Sequence, residues 1–195
     1  MASRSYLFAC NDIPGTSDTP EKSLIGLSES TYDIPLAYKI LLSPDPSACR
    51  SRIWSSEQDL AIIGDFDAGL AALTLFLEKI TLTQVQPAIE DTLQFLHNPN
   101  NRSQYLLLEC AEIFDLYGPD LGTQNLQLVE DMSSLHDEQA HALNTINVQS
   151  TQVKKRRFGI FPRRSQRSAT PETALRAAAE LGLYAWSNEL QFDFS

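Results

Sequence analysis

The sequence predicts an α+β fold, mainly α, in which antiparallel helices pack against one small sheet formed by strands from both chain ends. Three observations lead there. Apolar residues recur at three- and four-residue spacing from Gln84 to Val148, the period of amphipathic helices. Short β-type runs punctuate the first third of the chain, and aromatic residues alternate at its C-terminal end, where a strand needs a sheet to join. One core is expected, because 43% of the 195 residues are hydrophobic and 21% charged, a globular composition at single-domain length. Within a single domain spanning 1–195, a mixed α/β part (1–82) gives way to a helical part (83–149), a basic loop (150–169), and a helix plus terminal strand or hairpin (170–195).

Taken in order, Tyr6 to Cys10 reads as a strand. Asp33 followed by Pro35 opens a helix through Leu42, an N-cap ahead of an early proline, and Pro44 with Pro46 stops it. Arg52 to Trp54 reads as extended. Leu60 to Ile63 is a short strand-like run ending at Gly64, after which Asp65 or Asp67 caps a helix through Ile80. That helix places Leu70, Leu73, Leu77 and Ile80 on one stripe.

The middle reads as helices. Gln84 to His97 repeats Val85, Ile89, Leu93 and Leu96, and Asn98 to Asn101 turns the chain. Ser103 to Tyr117 sets Leu107, Cys110, Ala111, Phe114 and Tyr117 on one side, with Leu106 and Ile113 widening the face, so it is expected as the central helix. Gly118-Pro119 ends it. A longer, more polar helix runs from Thr123 to Val148 with Leu128, Met132, Leu135, Ala142 and Ile146 inward; the short links make these helices antiparallel neighbours. In the tail, Thr170 as N-cap, Pro171 and Gly182 bracket another helix. Beyond it Tyr184, Trp186, Leu190, Phe192 and Phe194 fall on even positions, a strand expected to meet the N-terminal strands.

Composition excludes several classes. No run of about 18 uncharged apolar residues occurs, so no membrane span is expected, and the first fifteen residues lack the cationic start and long apolar run of a secretory signal. Cys10, Cys49 and Cys110 are odd in number, widely spaced and set among apolar neighbours, which fits buried thiols and a cytoplasmic location. The net charge of −10 is unevenly placed. Residues 1–150 hold seven basic against 21 acidic residues; residues 151–170 hold seven basic residues and no acid.

Candidate chemistry is sparse. His136 and His141 are five apart, about 140° around a helix, and cannot share one metal ion. Asp65 and Asp67 after a strand invite a metal-dependent hydrolase with Glu90-Asp91 as partners, against the simpler reading of aspartate as an N-cap. No glycine-rich phosphate loop or nucleophile motif accompanies them. No catalytic residue, metal ligand or cofactor is therefore assigned. The basic residues Lys154, Lys155, Arg156, Arg157, Arg163, Arg164 and Arg167, with Phe158 and Phe161 interleaved, offer an alternative anion- or nucleic-acid-binding segment. The acidic body argues against nucleic acid as the main partner.

The stretches RSYLFACNDIP (Arg4 to Pro14), YDIPLAYKILLS (Tyr32 to Ser43), CRSRIW (Cys49 to Trp54) and LAIIGDFDAGL (Leu60 to Leu70) together resemble the opening of a group of small uncharacterised bacterial proteins. The resemblance covers about the first eighty residues and implies no assigned activity. In overall character, acidic and without catalytic motifs, the chain is also similar to immunity proteins that neutralise polymorphic toxins. The leading expectation is thus a non-enzymatic cytosolic binding protein that inhibits a basic toxin or effector. Its acidic helical face is expected to comprise Glu109, Glu112, Asp115, Glu130, Asp131, Asp137 and Glu138, with Trp54 and Tyr117 as aromatic anchors. Carboxylates facing the positive cleft of such a partner would speed association and form desolvated charge pairs.

Overall fold

The computed structural model describes residues 2–16, 24–155 and 171–190. Its strands are β1 (Arg4–Cys10), β2 (Ile25–Thr31), β3 (Ser47–Cys49), β4 (Ala61–Asp65) and β5 (Tyr105–Glu109). Its helices are α1 (Leu36–Leu42), α2 (Phe66–Leu77), α3 (Gln86–His97), α4 (Ala111–Asp115), α5 (Leu121–Met132), α6 (His136–Lys155) and α7 (Pro171–Glu180). The strands form one antiparallel sheet in the order β2-β1-β5-β4-β3. Among the described residues no helix is long and apolar enough to cross a membrane.

This corrects the expected mainly-α fold with a small sheet of terminal strands: the protein is a mixed α/β fold built on a large sheet whose central strand comes from mid-chain. That strand, β5, lies inside the segment expected as the central helix. Leu106, Leu107 and Leu108 are all fully buried, because both sheet faces are covered, and a strand covered on both faces has no alternation to distinguish it from a buried helix. The Thr123–Val148 helix is two helices, α5 and α6, parted at Ser133–Leu135. Arg52 to Trp54 bends rather than extends.

The C-terminal segment approaches the sheet through one bridge, Ser28 with Trp186. Its fastening joins one backbone bond, from the Ser187 N–H to the Leu27 carbonyl (3.0 Å), to side-chain contacts. Tyr38 Oη donates to Ser28 Oγ (2.5 Å), which donates to the Ala185 carbonyl (2.6 Å), and Trp186 packs on Tyr38 and Phe95. Phe192, Phe194 and Thr170 lie outside the described residues.

The sheet divides the core by parity. Leu7, Ala9, Ile62, Leu106 and Leu108 face the helices, joining Leu41 of α1, Leu73 of α2, Leu96 of α3 and Met132 of α5. Tyr6, Phe8, Cys10, Ala61, Ile63 and Leu107 face the other way, under the half-buried Ile13, Leu24, Ile53 and Leu190 of connecting segments. Helix α1 lies so close to α2 that a Cβ on Gly69 would stand 2.0 Å from the Leu41 carbonyl oxygen. Only glycine fits there.

Candidate functional site

On the loop-covered face, β5 ends at Glu109, whose register partners are Tyr6 on β1 and Ala61 on β4. Cys49 of β3 stands opposite Ala61. The residues after β3 cross above this row, and their backbone N–H groups would be stranded without a polar partner. Glu109, 1% exposed, supplies it. Its Oε1 accepts the Arg52 N–H (2.6 Å) and its Oε2 accepts Ser51 Oγ–H (2.7 Å). Ser51 Oγ in turn accepts the N–H groups of Ile53 (3.0 Å) and Trp54 (2.7 Å). Arg52 reaches across to pair with Asp12.

Burial pushes the Glu109 carboxyl up to about 7, against the pull of the hydrogen bonds from Arg52, Ser51 and Ile53 and the charge of Arg52. Burial, aided by the negative charge of Asp12, pushes the Cys10 thiol up to about 12. Burial likewise raises Cys49 and Cys110, with Glu109 adding to both. All three are free thiols held in their protonated form, poor nucleophiles and poor metal ligands.

Trp54 continues from this anchored turn into the wall of an open cleft of about 400 Å³. Ser55, Ser56, Gln58 and Leu60 of the same connection line it too, together with Glu112 and Asp115 of α4 and with Pro119 and Leu121. Glu112 is fixed, its carboxylate accepting the Arg4 backbone N–H (2.9 Å) and Tyr6 Oη–H (3.4 Å). Among the described residues, two carboxylates and no cation line the cleft. Immediately beyond Asp115, Leu116 and Tyr117 are 51% and 77% exposed, and Trp54 is 41% exposed.

The seven expected acids therefore separate. Glu112 and Asp115 share the cleft, and Glu109 lies buried behind it rather than on a surface. Glu130 and Asp131 are exposed at the far end of α5, roughly 14 Å along the axis from Leu121 at about 1.5 Å per residue. Asp137 and Glu138 are exposed in the first turn of α6. Glu138 accepts Lys39 Nζ–H (2.9 Å) and lines a different groove with His141 and Glu180.

The other candidates resolve locally. Asp65 is the N-cap of α2, accepting the Ala68 N–H (2.8 Å), and Asp67 pairs with Arg102, whose guanidinium covers the Phe66 ring. Glu90 and Asp91 are exposed on α3. Among the described residues no cluster of histidine, cysteine and acidic side chains could hold a metal ion. Lys154 and Lys155 fall in the last turn of α6; Arg156, Arg157, Arg163, Arg164 and Arg167 lie outside the described residues.

Sequence reasoning missed Ser51, Arg52 and Gln58. One signal was present: Glu109 terminates the uninterrupted apolar run of YLLLE, and a carboxylate at the end of a strand buried on both faces needs hydrogen-bond donors.

A family model, a domain of unknown function (DUF7822), matches residues 11–149. The matched region takes in β2 to β5, α1 to α5, most of α6, and every cleft residue named above. The chain belongs to that family. No curated protein and no solved structure matches it.

Proposed function

We propose that this protein is a non-enzymatic binding protein whose cleft between Trp54 and Asp115 receives a cationic segment of a protein partner, in the way an immunity protein neutralises a basic toxin. The reading rests on the lining. Among the described residues no cation lines the space that Glu112 and Asp115 face, and a lysine or arginine entering there meets two carboxylates and an indole that can stack on it. Glu112 is held by Arg4 and Tyr6 before any partner arrives, which lowers the ordering cost of binding. Leu116 and Tyr117 supply apolar contact beside the charges, the aromatic-plus-charge composition of interface anchors.

The test is selection of displayed random peptides on the immobilised protein, counter-selected against Asp115→Lys. Arginine- or lysine-bearing sequences should be enriched. They should lose at least tenfold in affinity on Glu112→Lys or Asp115→Lys and keep it on Asp131→Lys, which lies away from the cleft. Enrichment without cationic residues, or equal loss at Asp131, overturns the reading.

A further inference from the structure

We propose that Glu109 is a proton-operated latch on the cleft wall: as a carboxylate it seats the Ser51–Trp54 turn against the sheet, and protonation loosens that turn and frees Trp54.

The hydrogen bonds set the direction. Both oxygens of Glu109 face donors, the Arg52 N–H at 2.6 Å and Ser51 Oγ–H at 2.7 Å, an arrangement that suits an acceptor-only carboxylate. A neutral carboxyl must donate one proton. Placed on Oε1, that proton takes one of the oxygen's lone pairs and leaves a weaker acceptor for the Arg52 N–H. Placed on Oε2, it turns Ser51 from donor to acceptor, although Ser51 Oγ already accepts the Trp54 N–H and shares the Ile53 N–H with Glu109. Ser51 then has to release one of them.

The surroundings leave Glu109 as the responsive group. From the strands, Tyr6 on β1, Ala61 on β4 and Cys49 on β3 face it. Cys10 and Cys110 lie near, Arg52 with its partner Asp12 stands on the turn, Asp59 follows on the same connection, and Glu112 reaches the row through Tyr6. Burial holds Tyr6, Cys10, Cys49 and Cys110 above their ordinary values, so none of these four ionises in the same range as Glu109. The hydrogen bonds exist only in the seated form, and they favour the ionised state. Loss of the seat therefore accompanies proton uptake.

The latch does not depend on what the cleft binds, so its test uses the protein alone. With 5-fluorotryptophan incorporated, the Trp54 ¹⁹F resonance, assigned through Trp54→Phe, should titrate with a midpoint near the Glu109 value of about 7, while that of Trp186 stays fixed. In Glu109→Gln the Trp54 resonance should be pH-independent at its low-pH position. In Ser51→Ala it should lose its titration while the ¹³C resonance of the Glu109 carboxyl retains one; this arm decides the matter should Glu109→Gln fail to fold. A Trp54 resonance flat between pH 5.5 and 8.5 in the parent protein, or titrating unchanged in either variant, overturns the proposal.

Discussion

The two faces of the sheet are covered by different means. On one, Leu7, Ala9, Ile62, Leu106 and Leu108 pack with side chains from helices whose backbone N–H and C=O groups are already paired within themselves. On the other, Tyr6, Phe8, Cys10, Ala61 and Leu107 lie under connecting segments that must find hydrogen-bond partners elsewhere. The helix side is not purely apolar, but the polar side chains it buries, Ser5, Ser28, Tyr38 and Thr92, bond to one another or to backbone carbonyls and none of them is charged. The loop side carries a buried acid and, beside it, a serine, which together hold the Ser51–Trp54 turn by hydrogen bonds. Binding surfaces favour this second kind of cover, because a segment fixed by a few hydrogen bonds can present side chains such as Trp54 outward and still adjust.

Truncations should sharpen the contrast. Leu73→Ala, in the fully buried helix-side core, should cost about 2–5 kcal/mol in urea unfolding, against about 1 kcal/mol for the half-buried Ile53→Ala under the loops. Equal costs would mean the two coverings are equally rigid. Gly69→Ala should lose about 1–3 kcal/mol or more, since the added carbon drives α1 from α2. An unchanged melting temperature would show that the helices have room to part.

Proton linkage tests the loop side from a different direction. The folded carboxyl of Glu109 is raised to about 7, so between pH 4.5 and 7 the native state holds a proton that the unfolded chain has lost. The contribution of this group to stability is full below about pH 4.5 and falls, by on the order of a few kcal/mol, as pH rises through about 7. Glu109→Gln should flatten that decline in a series of denaturant melts. The fold thus loses stability over the same range in which the Trp54 turn becomes seated.

Smaller effects complete the series. Ser51→Ala should cost about 1–2 kcal/mol through the stranded N–H groups of Ile53 and Trp54. Asp115→Lys, at an exposed position, should alter stability by no more than about 0.5 kcal/mol while changing what the cleft binds.

Sequence signals worked where local chemistry decides the structure. Asp65 caps α2 after a short apolar strand, and Gly182 ends α7 with a positive φ of 87° that its position demands. They failed where tertiary cover decides. Leu106 to Leu108 look helical because nothing in the run marks two buried faces, and the spacing of Glu109, Glu112 and Asp115 imitates one helix although a strand carries the first and a short helix the other two. Of the cleft, Glu112, Asp115 and Trp54 were legible as an acid stripe and an aromatic anchor. The link from Glu109 through Ser51 to Trp54 was not, since it joins positions about 58 residues apart that only the sheet brings together.

The pairing of β1 with β5 has a consequence for synthesis. Tyr6 waits for Glu109, about a hundred residues later, and a ribosome adding about 5–20 residues per second needs on the order of 5–20 s to supply it. Through that interval β1 can pair only with β2, and its other edge, LFA flanked by Tyr6 and Cys10, stands unpaired and apolar. The nascent chain is then most open to misassociation with its neighbours on a polysome, and a chaperone acting early would meet that edge first.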